Sequence, residues 1–128
     1  MEPSQQIAGQ YVSAGQFFEL PLKTVSALNA REHRMARSRR VKRERTMACG
    51  AVNKYLSPLP CVVTMTRLSF NELDDDNLRG AFKGVRDGIA DAFDVDDRDP
   101  RIEWRYAQEK CKRGRHSVHI AIESKGAP

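Results

Sequence analysis

The chain is 128 residues long, with 22 Lys and Arg against 17 Asp and Glu and a net charge of +5. That length provides one domain with a single modest core, and the basic balance favours a polyanionic partner. Cys49, Cys61 and Cys111 are odd in number and widely spaced, which argues against a zinc site or a disulfide framework and fits a reducing compartment. No apolar run approaches the length of a membrane span, and residues 1–16 are polar and lack a signal-peptide core. A cytoplasmic protein without a membrane partner is therefore expected.

In chain order, residues 1–16 read as a disordered tail, 17–124 as the folded domain and 125–128 as a second short tail. Residues 17–22 are a short apolar run that predicts a strand, followed by a loop over 23–30. Residues 31–45 carry Arg31, Arg34, Arg37, Arg39, Arg40, Lys42, Arg43 and Arg45, opposed only by Glu32 and Glu44. A helix that is polar all round gains little from packing, so this tract is expected to stay mobile until it meets a polyanion. From Val41 the pattern improves, and Val41, Ala48, Val52 and Tyr55 recur at helical spacing until Ser57-Pro58-Leu59-Pro60 ends the helix.

Cys61–Ser69 is rich in β-branched residues and predicts a strand. Leu78, Phe82, Val85, Ile89 and Phe93 follow at spacings of four, three, four and four, which predicts one helix. Residues 94–100 form an acidic loop. Ile102, Trp104 and Tyr106 alternate with Glu103, Arg105 and Ala107, as Val118, Ile120 and Ile122 alternate with His119 and Ala121, so two half-buried strands are expected. A basic connection over 110–115, with Lys110, Lys112, Arg113, Gly114 and Arg115, should join them as a hairpin. The expected order is β-α-β-α-β-β: an α+β domain with a small mixed sheet and two helices.

The chemistry concentrates at Asp74-Asp75-Asp76-Asn77, followed by Lys83, Asp87 and Asp96-Asp97. Adjacent carboxylates repel one another, and a divalent ion offsets that repulsion well because Mg²⁺ takes a few carboxylates plus water. Aspartates at a helix start also cap free N–H groups, and Lys83 with Asp87 makes an ordinary i,i+4 pair. One cap needs one aspartate, however, and the chain supplies three and then two more. An acidic cluster beside a basic tract points to metal-assisted chemistry on a phosphate backbone. Arg31 to Arg45, with Lys112 and Arg113 in the later connection, are the candidate nucleic-acid contacts. The alternatives for those residues are a solvated arm and an ordinary basic turn. Trp104 and Tyr106 could stack on bases, although their alternation fits a core face better.

Asp74-x-Asp76-Asn77-Leu78, the later lysine and aspartate and the Asp96-Asp97 pair resemble the RusA family of Holliday-junction resolvases. These are small homodimeric endonucleases that cut four-way DNA junctions with Mg²⁺ or Mn²⁺. The resemblance covers about residues 17–123 and is specific around residues 74–97. It implies a RusA-like fold, with Asp74, Asp76 and Asp97 catalytic and metal-bound and Asp96 beside them. The family's lysine position falls on Gly80 here, and Lys83, one turn further on the same face, is the nearest candidate for its role. The implied function is metal-dependent cleavage of four-way junctions in recombination and repair. A non-catalytic basic DNA-binding protein and a metal-dependent nuclease acting on another nucleic-acid structure are the alternatives.

One straight helix from Asp76 to Ala92 would set its ends roughly 24 Å apart at 1.5 Å per residue. Asp76 and Asp97 of one chain could not then share an ion. An active site shared across a two-fold axis is the expectation, with a shorter helix and a returning loop as the alternative.

Overall fold

The structure is a computed structural model, and it describes residues 15–24 and 33–125. The expectations for residues 1–14, for most of the 23–30 loop, for Arg31 and for 126–128 lie outside the described residues. Seven elements follow in order: β1 (Gly15–Leu20), α1 (Arg34–Ala51), β2 (Cys61–Ser69), α2 (Asp75–Ala81), α3 (Lys83–Ala92), β3 (Ile102–Lys110) and β4 (Ser117–Ser124). Among the described residues they form a small α+β domain of three helices and one four-stranded mixed sheet.

β2 is the organising strand. Its alternation is strict, with Cys61, Val63, Met65, Arg67 and Ser69 buried and the residues between them half-buried. The sheet order is β1-β4-β2-β3. β3 pairs with β2 in parallel, Val63 opposite Trp104 and Met65 opposite Tyr106. β4 pairs with β2 antiparallel, Val63 opposite Ile122 and Met65 opposite Ile120. β1 closes the other edge antiparallel to β4, Phe18 opposite Ile120 and Leu20 opposite Val118. The inward residues meet Ala48, Leu78, Phe82, Val85, Ile89 and Phe93 of the helices in one core.

Five expectations need correction. β3 and β4 are not a hairpin, because β2 lies between them. The 110–115 connection instead crosses the end of β2, where the Cys111 N–H donates to the Ser69 carbonyl at 3.0 Å. Gly114, at φ 87°, supplies the left-handed turn. Alternation shows that a strand exists but not which strand lies beside it.

The helix expected over 78–93 is two helices. Phe82 leaves helical geometry at φ −97°, ψ 6°, and its N–H bonds back to Arg79 at 3.2 Å in a tightened last turn. The whole apolar stripe stays buried across the break, so its spacing carries no trace of it.

The basic tract is not a loose arm. Residues 34–51 form one 18-residue helix, with the His33 ring Nδ1 accepting from the Met35 N–H at 3.1 Å as a cap. The helix docks on α3 through Glu44 and Ala48, both buried. Gly84 and Gly88 make this possible: a Cβ on Gly84 would lie 2.8 Å from the Val41 carbonyl oxygen, and one on Gly88 would lie 2.9 Å from Ala48 Cβ. α1 also ends before Tyr55, which is exposed, with Val52 as its C-cap. Gln16 of β1 grips the next residue, donating to the Asn53 carbonyl at 2.7 Å and accepting from its N–H at 2.9 Å. The first strand is displaced by two residues, since Pro21 ends it and leaves the buried Leu22 beyond it.

Candidate active site and nucleic-acid interface

The loop from β2 to α2 is held before any acid appears. Arg67 occupies an inward position of β2 and is 5% exposed. Burial of that guanidinium lowers its pKa, and its partners are Thr24 Oγ1 at 3.0 Å, the Asn71 carbonyl at 2.7 Å and Asn71 Oδ1 at 3.1 Å. From β3, Gln108 clamps Leu73 on both backbone atoms, at 3.0 and 2.7 Å. Arg67 was legible as a charged residue in the inward phase of an alternating strand, where it must find partners. Gln108 left no such signal.

Asp74 then caps α2, with Oδ1 accepting from the Asn77 N–H and from Asn77 Nδ2, both at 2.9 Å. Asp75 and Asp76 lie exposed in the first turn. Lys83 opens α3, its Nζ 3.1 Å from Asp87 Oδ1 and 4.0 Å from Asp97 Oδ2. The acidic loop therefore runs back along α3. Arg86 secures it by donating to Asp97 Oδ2 and to the Asp97 carbonyl, both at 3.0 Å, and to the Tyr106 hydroxyl at 2.6 Å. Its guanidinium lies over the Trp104 ring at 4.7 Å, and Trp104 Nε1 donates to the same Asp97 carbonyl at 2.9 Å. The short helix with a returning loop is thus the arrangement seen, and the straight-helix argument for a shared site loses its premise.

Asp96 points elsewhere, to the Arg98 N–H at 2.8 Å and Arg98 Nε at 3.3 Å. Those bonds hold its carboxyl below the usual range. Asp99 is held down to about 2 by the Arg101 guanidinium. Among the described residues no three of His, Cys, Asp and Glu stand close enough to hold one metal ion. The structure therefore brings Asp97 to Lys83 but does not gather Asp74, Asp76, Asp96 and Asp97 into one group. In kind, the donors at the start of α2 suit Mg²⁺ or Mn²⁺: they are exposed oxygens, and Mg²⁺ is commonly held by one or two carboxylates with water completing the shell.

The basic residues divide by partner. Arg40 reaches the buried Glu44 at 3.4 Å. Arg45 forks onto Asp91 at 2.6 and 2.9 Å, and this bond holds the Asp91 carboxyl below its ordinary value. Arg34, Arg39, Lys42 and Arg43 are exposed and form no ion pair among the described residues. Arg34, Arg37, Lys42 and Arg45 line a groove of about 990 Å³ along α1. α1 runs parallel to α3, with Val41 at Gly84 and Arg45 at Gly88. Its first turns, with Arg34, Arg37 and Arg39, therefore extend up to about 9 Å past the start of α3.

Lys112 and Arg113 lie in the connection at the C-terminal ends of β2 and β3, the end from which α2 starts. Arg113 stacks over Phe70 at 4.8 Å, and Lys110 Nζ is 4.0 Å from Glu72. The acidic triplet and this basic connection thus share one end of the sheet.

No family model matches the chain, and no curated protein matches it in sequence. No helix among the described residues is long and apolar enough to cross a membrane.

Proposed function

We propose that this protein is a Mg²⁺- or Mn²⁺-dependent endonuclease of RusA type. It acts as a homodimer on branched DNA, four-way junctions above all, in the cytoplasm. The observation that carries the reading is the placement of Asp74, Asp75 and Asp76 at the same end of the sheet as Lys110, Lys112 and Arg113. Carboxylates that bind an ion need a phosphate brought to them, and cations around them supply that attraction.

Asp76 and the free oxygen of Asp74 would hold the ion, which when bound lowers the pKa of a water and stabilises charge on the phosphate. Lys83, suspended between Asp87 and Asp97, is placed to steady a phosphate oxygen. Arg86 fixes Asp97 and so sets where Lys83 can reach. Arg34, Arg39, Lys42 and Arg43 would hold DNA backbones along α1, reading shape and phosphate position rather than base edges. One observation favours the second reading, a binding protein without catalysis: Asp74 is already engaged as a cap.

The test is incubation of the purified protein with a synthetic four-way junction, with and without Mg²⁺. Metal-dependent nicks at the branch are expected, and Asp76→Asn should bind the junction without cutting it. Binding with no nicks on any branched substrate supports the second reading, and cutting by Asp76→Asn removes Asp76 from the site.

A further inference from the structure

A second concavity lies between α2 and β3. It has a volume of about 390 Å³ and is lined by Asp75, Leu78, Arg79, Trp104, Arg105 and Tyr106. We propose that this pocket receives an unpaired nucleobase of the nucleic-acid substrate, stacked on Trp104 with Tyr106 beside it. The proposal rests on the nucleic-acid reading above and names what part of the substrate the site takes.

The two rings stand two residues apart on β3, an edge strand, so they share one face and sit where a chain can approach from the side. Their polar atoms are already engaged. The Trp104 N–H donates to the Asp97 carbonyl and the Tyr106 hydroxyl accepts from Arg86. Phe82, fully buried, packs on Tyr106 with ring centroids 5.9 Å apart. Arg86 covers Trp104 at 4.7 Å but does not line the pocket, so the pocket takes a part of the indole that Arg86 leaves uncovered. Arg79 and Phe82 lie against Tyr106, so the π surface offered to a ligand is that of Trp104, fixed in place by the bond behind it. A rigid aromatic platform of this kind suits a flat base, whichever base it is.

The charges at the pocket sort the ligand further. Arg79 is exposed and lies 5.6 Å over the Tyr106 ring, placed to meet a flanking phosphate. Asp75, also at the pocket, repels a phosphate and accepts hydrogen bonds from the N–H edge of a base. A phosphate inside and a base outside would reverse both contacts. Asp75 also ties the pocket to the start of α2, since its neighbours are the proposed ion ligands Asp74 and Asp76. A base unstacked at a branch point would thus be held next to the backbone to be cut.

Trp104 is the chain's one tryptophan, so its emission reports on the pocket directly. The experiment uses a forked DNA carrying 2-aminopurine at the unpaired position next to the branch, and the same fork with an abasic unit there. Both are titrated in EDTA, so that binding is read without cutting, and the anisotropy of a distant end label reports total binding. Binding with quenching of both Trp104 and 2-aminopurine is expected, with about tenfold weaker affinity for the abasic fork. Trp104→Leu should then bind the two forks alike, provided it folds, and the abasic comparison on the unaltered protein stands whether or not it does. Equal affinity for both forks without a change in either emission overturns the pocket and leaves the nucleic-acid reading intact. An anisotropy that never rises overturns both.

Discussion

Gly88→Ala tests the packing that holds the basic helix to the rest of the domain. A Cβ at Gly88 would fall against the Arg45 carbonyl oxygen and lie 2.9 Å from Ala48 Cβ and 3.0 Å from the Arg45 carbonyl carbon. Most of those atoms are backbone, so no side chain can swing away and α1 itself must move outward. Overpacking of this kind costs about 1–3 kcal/mol. The exchange also gains up to about 1 kcal/mol, because alanine favours the helix over glycine. A net loss of about 1–2 kcal/mol is expected. At about 2.1 cal/mol/K per residue over 128 residues, that lowers Tm by roughly 4–8 °C. Gly50 and Gly80 are the controls: each is helical, and an added Cβ meets nothing within 4 Å. Gly50→Ala and Gly80→Ala should leave Tm unchanged or raise it by up to about 4 °C. Thermal unfolding followed by circular dichroism gives all three numbers. If Gly88→Ala melts as high as the two controls, α1 does not approach α3 as closely as described, and the packing argument fails.

Replacing Arg34, Arg39, Lys42 and Arg43 together with Gln should weaken DNA binding and reduce the slope of log K against log salt, by about 0.9 for each phosphate that is no longer neutralised. An unchanged slope would mean that this face of α1 does not touch DNA. Cys49 and Cys111 are partly exposed and Cys61 is buried, so a thiol reagent at pH 8 should modify two thiols in the folded protein and the third only on unfolding. Burial pushes the Cys61 thiol up to about 11 from 9.0. Its contribution to stability is therefore complete below pH 9 and lost as pH rises towards 11, and denaturant titrations should show that loss in the wild type but not in Cys61→Ala. Mixing Asp76→Asn with Asp97→Asn subunits should produce no nicking, because Asp97 returns to Lys83 of its own chain and both sites stay singly damaged. Nicking by the mixture, with subunit exchange verified, would restore the shared site.

The strands were legible because alternation is a local property: Cys61–Ser69 and the Val118, Ile120, Ile122 set fall where the sequence places them. Their neighbours were not legible. Sequence proximity pairs β3 with β4, but β2 is flanked by both, and nothing in a period of two encodes that choice. The docking of α1 was hidden for a different reason. A helical wheel counts apolar side chains, and here the fit depends on side chains that are missing, at Gly84 and Gly88, against Ala48 and the α1 backbone. Read one residue at a time, glycine only weakens a helix. The break at Phe82 was equally silent, since a stripe spaced four, three, four and four stays buried whether one helix carries it or two.

The acidic triplet shows how far local reading reaches into the site. Capping accounts for one aspartate, and Asp74 is that one. The excess over one cap was the signal for further chemistry, and the structure separates its parts. Asp75 lines the pocket with Trp104 and Tyr106, while Asp76 stays exposed in the first turn. Three adjacent, chemically identical residues thus face three different surroundings, because successive positions on a helix are turned about 100° from one another. Which carboxylate takes which role depends on where β3 lies beside α2. That placement is set by the pairing of β3 with β2 and by the Gln108 clamp on Leu73, and Arg86 adds a tie from α3, joining Asp97 to Tyr106 and stacking on Trp104. An arginine on the flank of an amphipathic helix looks like any solvated charge in sequence. Here it joins the returning loop to the edge strand, holding Asp97 within reach of Lys83 and backing the Trp104 ring.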